Sequence, residues 1–450
     1  MRGWLIMVGV LAWASPALAG NDDSFFQGNE AAMQGGAVAA TGTGAGQLWY
    51  NPGALAVGQG NRIELSGSLF SLRFRKLDPY MEIAAPDGSV VAANSERSVD
   101  FLSVPSALSY TRRLGRRVRA GVGVFVQVQD SVDLDSGLIW NDGAGTDLSY
   151  RRALKFGQQR LFAGPGLSAD FGNFSFGASL FFVYEQSSFE EVSSLFVTAP
   201  GPTDASATEE YRVDTRRFGL ELILGAHLKL GSHVHAGLVL RGPRFRLTDE
   251  LSVGRVATES VDGPAGSSVT TLDEPPFAFR SDRPLAAPAR LVFALGYVTG
   301  DLTLSAEIDV AHPYSGFQEY IWTYNVRAGA RIGITDSMDL GVGFFTDRAN
   351  VAGTNSAFQS FLDYYGGNLA VSTATPVGVR HDPDDGTPDQ LVFHTTVSLR
   401  YAAGVGAGSG AIALADQIDD DASVGVFLFG EDQRLLVHEL ALYIGSGLDF

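Results

Sequence analysis

The 450-residue chain has no cysteine. That excludes a disulfide framework, a thiol nucleophile and a thiolate metal site. Charge is scarce too, at 18% of residues, while 45% are hydrophobic, which excludes an intrinsically disordered chain. Basic residues are outnumbered, 32 Lys and Arg against 50 Asp and Glu, for a formal charge of -18. Nucleic acid is therefore not an expected partner. After Gly20 no uninterrupted apolar run reaches the ~18 residues of a membrane-spanning helix.

The opening residues carry the one leader-like pattern. Arg2 supplies a charged start, Trp4 to Trp13 an apolar stretch, and Ala17-Leu18-Ala19 a small-residue cleavage pattern. Residues 1–19 thus read as a secretory signal peptide, with an apolar core too short for a membrane anchor. An exported chain without spanning helices is secreted, periplasmic or an outer-membrane barrel.

Glycine, by contrast, is abundant at 54 residues, with 29 Phe and 14 Tyr. This suits a β-rich wall with aromatic girdles. The final stretch alternates: Leu440, Leu442, Ile444, Leu448 and Phe450 share one parity, and Glu439, Tyr443, Gly445, Gly447 and Asp449 the other. Arg117 to Gln129 alternates as well, with Val118, Ala120, Val122, Val124, Val126 and Val128 on one face. Such patterns predict about fourteen strands, including 390–404 and 406–417, and an even number suits a bacterial barrel. Tight turns at 114–116, 172, 231–232, 300 and 336 separate long segments at 76–97, 131–149, 189–210, 251–285, 350–389 and 418–433. Short turns at one end and long loops at the other are the barrel pattern, so the expected fold is an all-β transmembrane antiparallel barrel. A soluble sandwich is the competing fold. Charges at Arg160, Glu221, His227, Lys229, Glu307, Asp309, Arg327, Arg331, Asp339 and Asp347 fall on the other face, expected to be the lumen.

Two stretches carry a resemblance. Glu30 to Ala39, a run of small residues, and then Asn51-Pro52-Gly53-Ala54-Leu55 resemble the amino-terminal hatch of the long-chain fatty-acid and aromatic-hydrocarbon transporter family of outer membranes. That family usually has Ala where this chain has Gly53. Tyr324 to Ala330 and Leu340 to Phe345 resemble its late hairpin. The resemblance implies a hatch over residues 20–60 inside a barrel of residues 61–450, in a bacterial outer membrane amid lipid and lipopolysaccharide. It implies diffusive uptake of hydrophobic small molecules, most of all long-chain fatty acids, with no cofactor. The terminal strand, ending in Phe450, resembles those recognised by the barrel assembly machinery. A general porin, a structural barrel and a barrel enzyme are the alternatives, although no Ser and His pair stands out by spacing.

Candidate ligand residues are Arg160, Phe162, Arg327 and Arg331, where a forked guanidinium holds a ligand carboxylate. The simpler reading of Arg327 and Arg331 is cross-strand pairing with Glu307 and Asp309. External contacts are expected at 189–196 and 251–279. Pro105 and Pro165 interrupt strands flanking Gly121 and Gly123, so a kink there, with a lateral gap, is expected, against tolerated irregularities. The Gly-rich runs 42–46 and 404–408 lack the strand–loop–helix setting of a nucleotide site. Asp382 to Asp385 have calcium-loop spacing but no closing Glu, so no metal site is assigned.

Overall fold

The computed structural model describes residues 25–58, 60–84, 90–141, 143, 145, 147–198, 204–263, 266–279, 284–315, 319–350, 361–381, 388–409, 411–414, 425–427 and 432–450. The leader at residues 1–19 and the run Asp382–Asp385 lie outside them. None of the described helices is long and apolar enough to cross a membrane.

Among the described residues, fourteen strands build the closed wall after the N-terminal segment. They are β1 (Arg62–Ala84), β2 (Val90–Arg113), β3 (Val118–Asn141), β4 (Asp147–Asp170), β5 (Phe174–Thr198), β6 (Asp204–Leu230) and β7 (Val234–Arg241). Then come β8 (Arg290–Val298), β9 (Leu302–Ala311), β10 (Thr323–Thr335), β11 (Met338–Asp347), β12 (Phe361–His381), β13 (Pro388–Ser409) and β14 (Asp432–Asp449). Each pairs antiparallel with the next, and β14 returns to β1, so the ring closes. Closure removes the open edges that a sheet of this size would otherwise present.

Period-two alternation sets the two faces. On β5, Phe176, Leu180 and Phe182 point outward and are exposed, whereas Ser175, Ser179, Phe181 and Glu185 point inward and are buried. Leu167, Leu222, Leu295, Phe344 and Leu369 continue the outer apolar band around the ring. A contiguous exposed band of this kind is solvated by lipid rather than water. Arg160, Glu221, His227, Glu307, Asp309, Arg327 and Asp347 are buried on the inner side. A charge in the lipid face costs roughly 2–4 kcal/mol at the midplane, which is why they face inward.

Two expectations need correction. Residues 406–417 are not one separate strand: Gly406 to Ser409 complete β13, and Ala411–Leu414 form a short strand pairing parallel with the end of β1. The missing strand is β12, inside a segment read as a loop. Its inward Gly366, Asn368, Ala370 and Ser372 sit beside outward Gly367 and Thr373, and such small residues blur the alternation. β12 therefore ends, and β13 begins, at the short-turn end, whereas the whole segment 350–389 was expected as one long loop. Second, the long segments are largely strand. β3 and β4 stay paired to Asn141↔Asp147, and β5 and β6 to Thr198↔Asp204. After Gly242-Pro243, Arg244–Gly263 continues β7, pairing with β6 and with Gly266–Phe279. The stretches 189–196, 251–263 and 266–279 are therefore strands, not loops. Beyond the membrane a strand needs no apolar outer face, so its hydrophobic signal fades while its backbone pairing persists.

Candidate functional site

The N-terminal segment lies inside the ring. It forms α1 (Asn29–Met33), α2 (Gln47–Tyr50) and a 3-10 turn at Ala54–Val57, with Ala32, Met33, Val38, Leu48, Trp49 and Leu55 buried. Its small residues let main chain lie on main chain. An added Cβ on Gly177 would sit 2.2 Å from the Pro52 carbonyl, on Gly237 2.6 Å from that of Ala39, on Gly329 2.4 Å from that of Gln34, and on Gly341 2.3 Å from that of Met33. At each contact only glycine leaves room.

The triad Asn51-Pro52-Gly53 fixes this docking. The fully buried Asn51 carboxamide donates to the Ala39 carbonyl at 2.6 Å and to the Ala226 carbonyl of β6 at 3.1 Å, and accepts from the Gly53 N–H at 3.0 Å. The Gly53 carbonyl accepts from Ser168 at 3.1 Å and Ser175 at 2.8 Å. A Cβ on Gly53 would lie 2.5 Å from the Gly225 carbonyl, so the Ala usual in the resembled family does not fit here unless the neighbouring backbone shifts.

Above the triad Trp49 stands in an aromatic box. Its ring centroid is 4.8 Å from Phe162, 5.5 Å from Phe125 and 6.0 Å from Phe181. The Arg241 guanidinium lies over Trp49 at 3.9 Å, and that of Arg244 over Phe162 at 5.2 Å, both in cation–π range. A buried network joins them. Arg160 donates to Glu185 at 2.9 Å and to Gln127 at 3.1 Å. Arg217 donates to Asp249 at 3.0 Å, and Arg244 to Glu221 at 3.2 Å. Buried charges are tolerated here because each carboxylate meets several guanidinium donors.

Arg160 and Phe162 thus belong to one site. Arg327 lies in another, paired with Glu307 at 3.5 Å and Asp309 at 3.6 Å, beside the Arg290–Asp309 pair. Glu307 also accepts from the Ala39 N–H at 2.5 Å, so this network holds the N-terminal segment. Arg331 is half-buried, opposite Thr303 and Gly341 toward the short-turn end. Trp49 stood out in sequence, with Leu48 and Tyr50, as a mark of a plug rather than of a solvated leader, whereas Phe181, Arg217, Arg241, Arg244 and Glu185 did not. A parity signal existed in Arg244-Phe245-Arg246, but Gly242-Pro243 breaks the strand just before it.

The wall differs from the expected kink. Along Gly121 to Phe125, β3 pairs without interruption with β2 and with β4. Pro165 sits opposite Val122 in the intact β3–β4 ladder. Glycines within a ladder keep their backbone bonds, so Gly121 and Gly123 do not break it. The β2–β3 pairing instead ends at Ala107↔Phe125, two residues before Pro105, which has no N–H to continue it. A bulge between Val126 and Val128 then turns β3, so both valines are buried rather than lipid-facing as the alternation predicts. At this point Phe25 packs with Leu102, Val126 and Leu161, and Gln27 Nε2 donates to the Val126 carbonyl at 2.7 Å.

These features define a large outer-membrane-type β-barrel whose lumen is occupied by its own N-terminal segment. Its architecture is that of the FadL-like channels. A Pseudomonas aeruginosa FadL homologue matches with TM-score 0.51 and 13% identity, over 96% of this chain and 99% of that one. The Pseudomonas putida toluene transporter TodX matches with TM-score 0.51 and 14% identity, over 96% and 100%. The CymD monoaromatic hydrocarbon channel matches with TM-score 0.51 and 12% identity, over 95% and 99%. No family model and no curated protein matches the sequence.

Proposed function

We propose that the chain is an outer-membrane channel for diffusive uptake of hydrophobic small molecules. The observation that carries this reading is the aromatic box under a guanidinium network, closed by the N-terminal segment. The channels of like fold, a toluene transporter and a monoaromatic hydrocarbon channel among them, support it. An open porin is less favoured, because Trp49 and α1 fill the lumen that such a pore leaves to water.

The ligand class is an amphiphile with an apolar chain and an anionic head, of which a long-chain fatty acid is the leading candidate. The apolar part takes the place of Trp49 among Phe125, Phe162 and Phe181. The head meets Arg160, Arg241 and Arg244, planar donors suited to a carboxylate. Release is lateral, through the wall above Ala107 and Phe125, after Phe25 and Gln27 withdraw. No step needs an energy source or a cofactor.

The test is equilibrium binding of a fluorescent long-chain fatty acid to the detergent-purified barrel, with toluene and a short polar solute as competitors. Saturable binding displaced by fatty acids and not by the polar solute is expected. Displacement by toluene alone would move the ligand class to uncharged aromatics. Lack of binding by an intact barrel would overturn the uptake reading. Lipase and protease assays of the same preparation test the barrel-enzyme alternative.

A further inference from the structure

Where β2 and β3 part, the β3 edge keeps backbone carbonyls that a neighbouring strand would normally satisfy. Val118 O accepts from Leu114 N of the β2–β3 turn, so Val118, Val122 and Val126 turn their backbone groups toward β2. The extra residue at the bulge, Gln127, shifts that parity. Beyond it the odd-numbered residues, Ser131 and Gly137 included, face β2.

Three of these edge carbonyls meet a side chain rather than a strand. Val126 O accepts from Gln27 Nε2 at 2.7 Å, Ser131 O from Arg75 Nη1 at 3.1 Å, and Gly137 O from Asn94 Nδ2 at 3.2 Å. The middle donor reaches furthest. Arg75 starts on β1, passes Asp100 of β2, to which it is hydrogen-bonded, and bonds Asp130 of β3 at 2.5 Å. Arg73 grips the same Asp130 at 2.6 Å and Glu439 of β14 at 2.5 Å.

We infer that these contacts form a side-chain seam replacing the missing ladder, and that Arg75 is the positioning residue that keeps the β2–β3 slot closed. A backbone ladder opens only by unpairing consecutive residues together. A seam of three separated side chains parts one contact at a time. The Asp130 side chain is 27% exposed, so the clamp is not sealed from solvent. The role in release rests on the lateral-exit reading; the geometry of the seam does not.

The cysteine-free chain makes the test clean. Val99→Cys on β2 and Asp133→Cys on β3, both exposed, carry spin labels across the slot in lipid nanodiscs. Arg75→Gln is expected to lengthen the label separation by about 5 Å, one strand spacing, and to speed release of a preloaded fluorescent fatty acid several-fold. Arg75→Lys, which keeps one donor, should fall between. Arg151→Gln removes an exposed pair between β4 and Asp135 of β3, on the side of β3 away from the slot, and should change neither. Lengthening without faster release would support the seam and overturn the lateral exit. An unchanged separation in a heat-modifiable Arg75→Gln or Arg75→Lys barrel would overturn the seam itself.

Discussion

Removing the Asn51 carboxamide tests whether the N-terminal segment is a docked closure. The side chain is fully buried and makes three hydrogen bonds, to Ala39 O, Ala226 O and Gly53 N. Each contributes about 1 kcal/mol net. Only the bond to Ala226 O crosses to the wall, so Asn51→Ala weakens docking by ~1 kcal/mol. At 1.4 kcal/mol per tenfold, the undocked population rises roughly fivefold. The wall strands keep their own ladders, so the barrel itself remains heat-modifiable. The assay is single-channel recording in planar bilayers, reading the fraction of time spent conducting. A rise of about fivefold is expected. An unchanged open fraction in a folded Asn51→Ala barrel would refute the docking argument, because the segment would then be held by contacts that do not pass through this side chain.

Deleting residues 25–58 should raise ion conductance sharply, read in the same bilayers. Gly225→Ala, whose Cβ would lie 2.1 Å from Asn51 Oδ1, should leak like Asn51→Ala, with the double variant adding little because both act on one contact. Arg244→Gln should weaken fatty-acid binding about tenfold, the equivalent of ~1.4 kcal/mol, and leave an uncharged aromatic ligand nearly unaffected in competition titrations. Trp49→Phe should remove most of the intrinsic fluorescence change on ligand addition, since Trp49 stands in the box that the ligand enters.

The barrel was legible because lipid demands it. Outward residues of the spanning strands must be apolar, and β3, β5 and β14 carry that demand as clean alternation. Where the demand stops, the signal stops. Phe189 to Thr198 remain strand beyond the apolar band, with buried Phe189 and Leu195 as the inward partners of ordinary polar positions. β12 hid for a different reason: glycine, alanine and serine on its inner face give little contrast. The site was partly legible. Asn51-Pro52-Gly53 and Arg160 stood out, but Trp49 among Phe125, Phe162 and Phe181 is a convergence of four distant segments. Sequence spacing carries no trace of it. The parting of β2 and β3 was foreshadowed by Pro105. Its position was not, because ladder breaks depend on which edge the missing N–H faces.

The glycines under the N-terminal segment have a consequence for how this sequence can vary. Gly341, Gly329, Gly237 and Gly177 sit on four different strands, and each meets the main chain of a successive stretch from Met33 to Pro52. Even an added methyl collides there. A saturation-mutagenesis map of the wall should therefore show a track of intolerance crossing strand after strand at lumen-facing positions, unrelated to ligand contact. Its course would trace the path of the segment, as a footprint, without any structure being consulted.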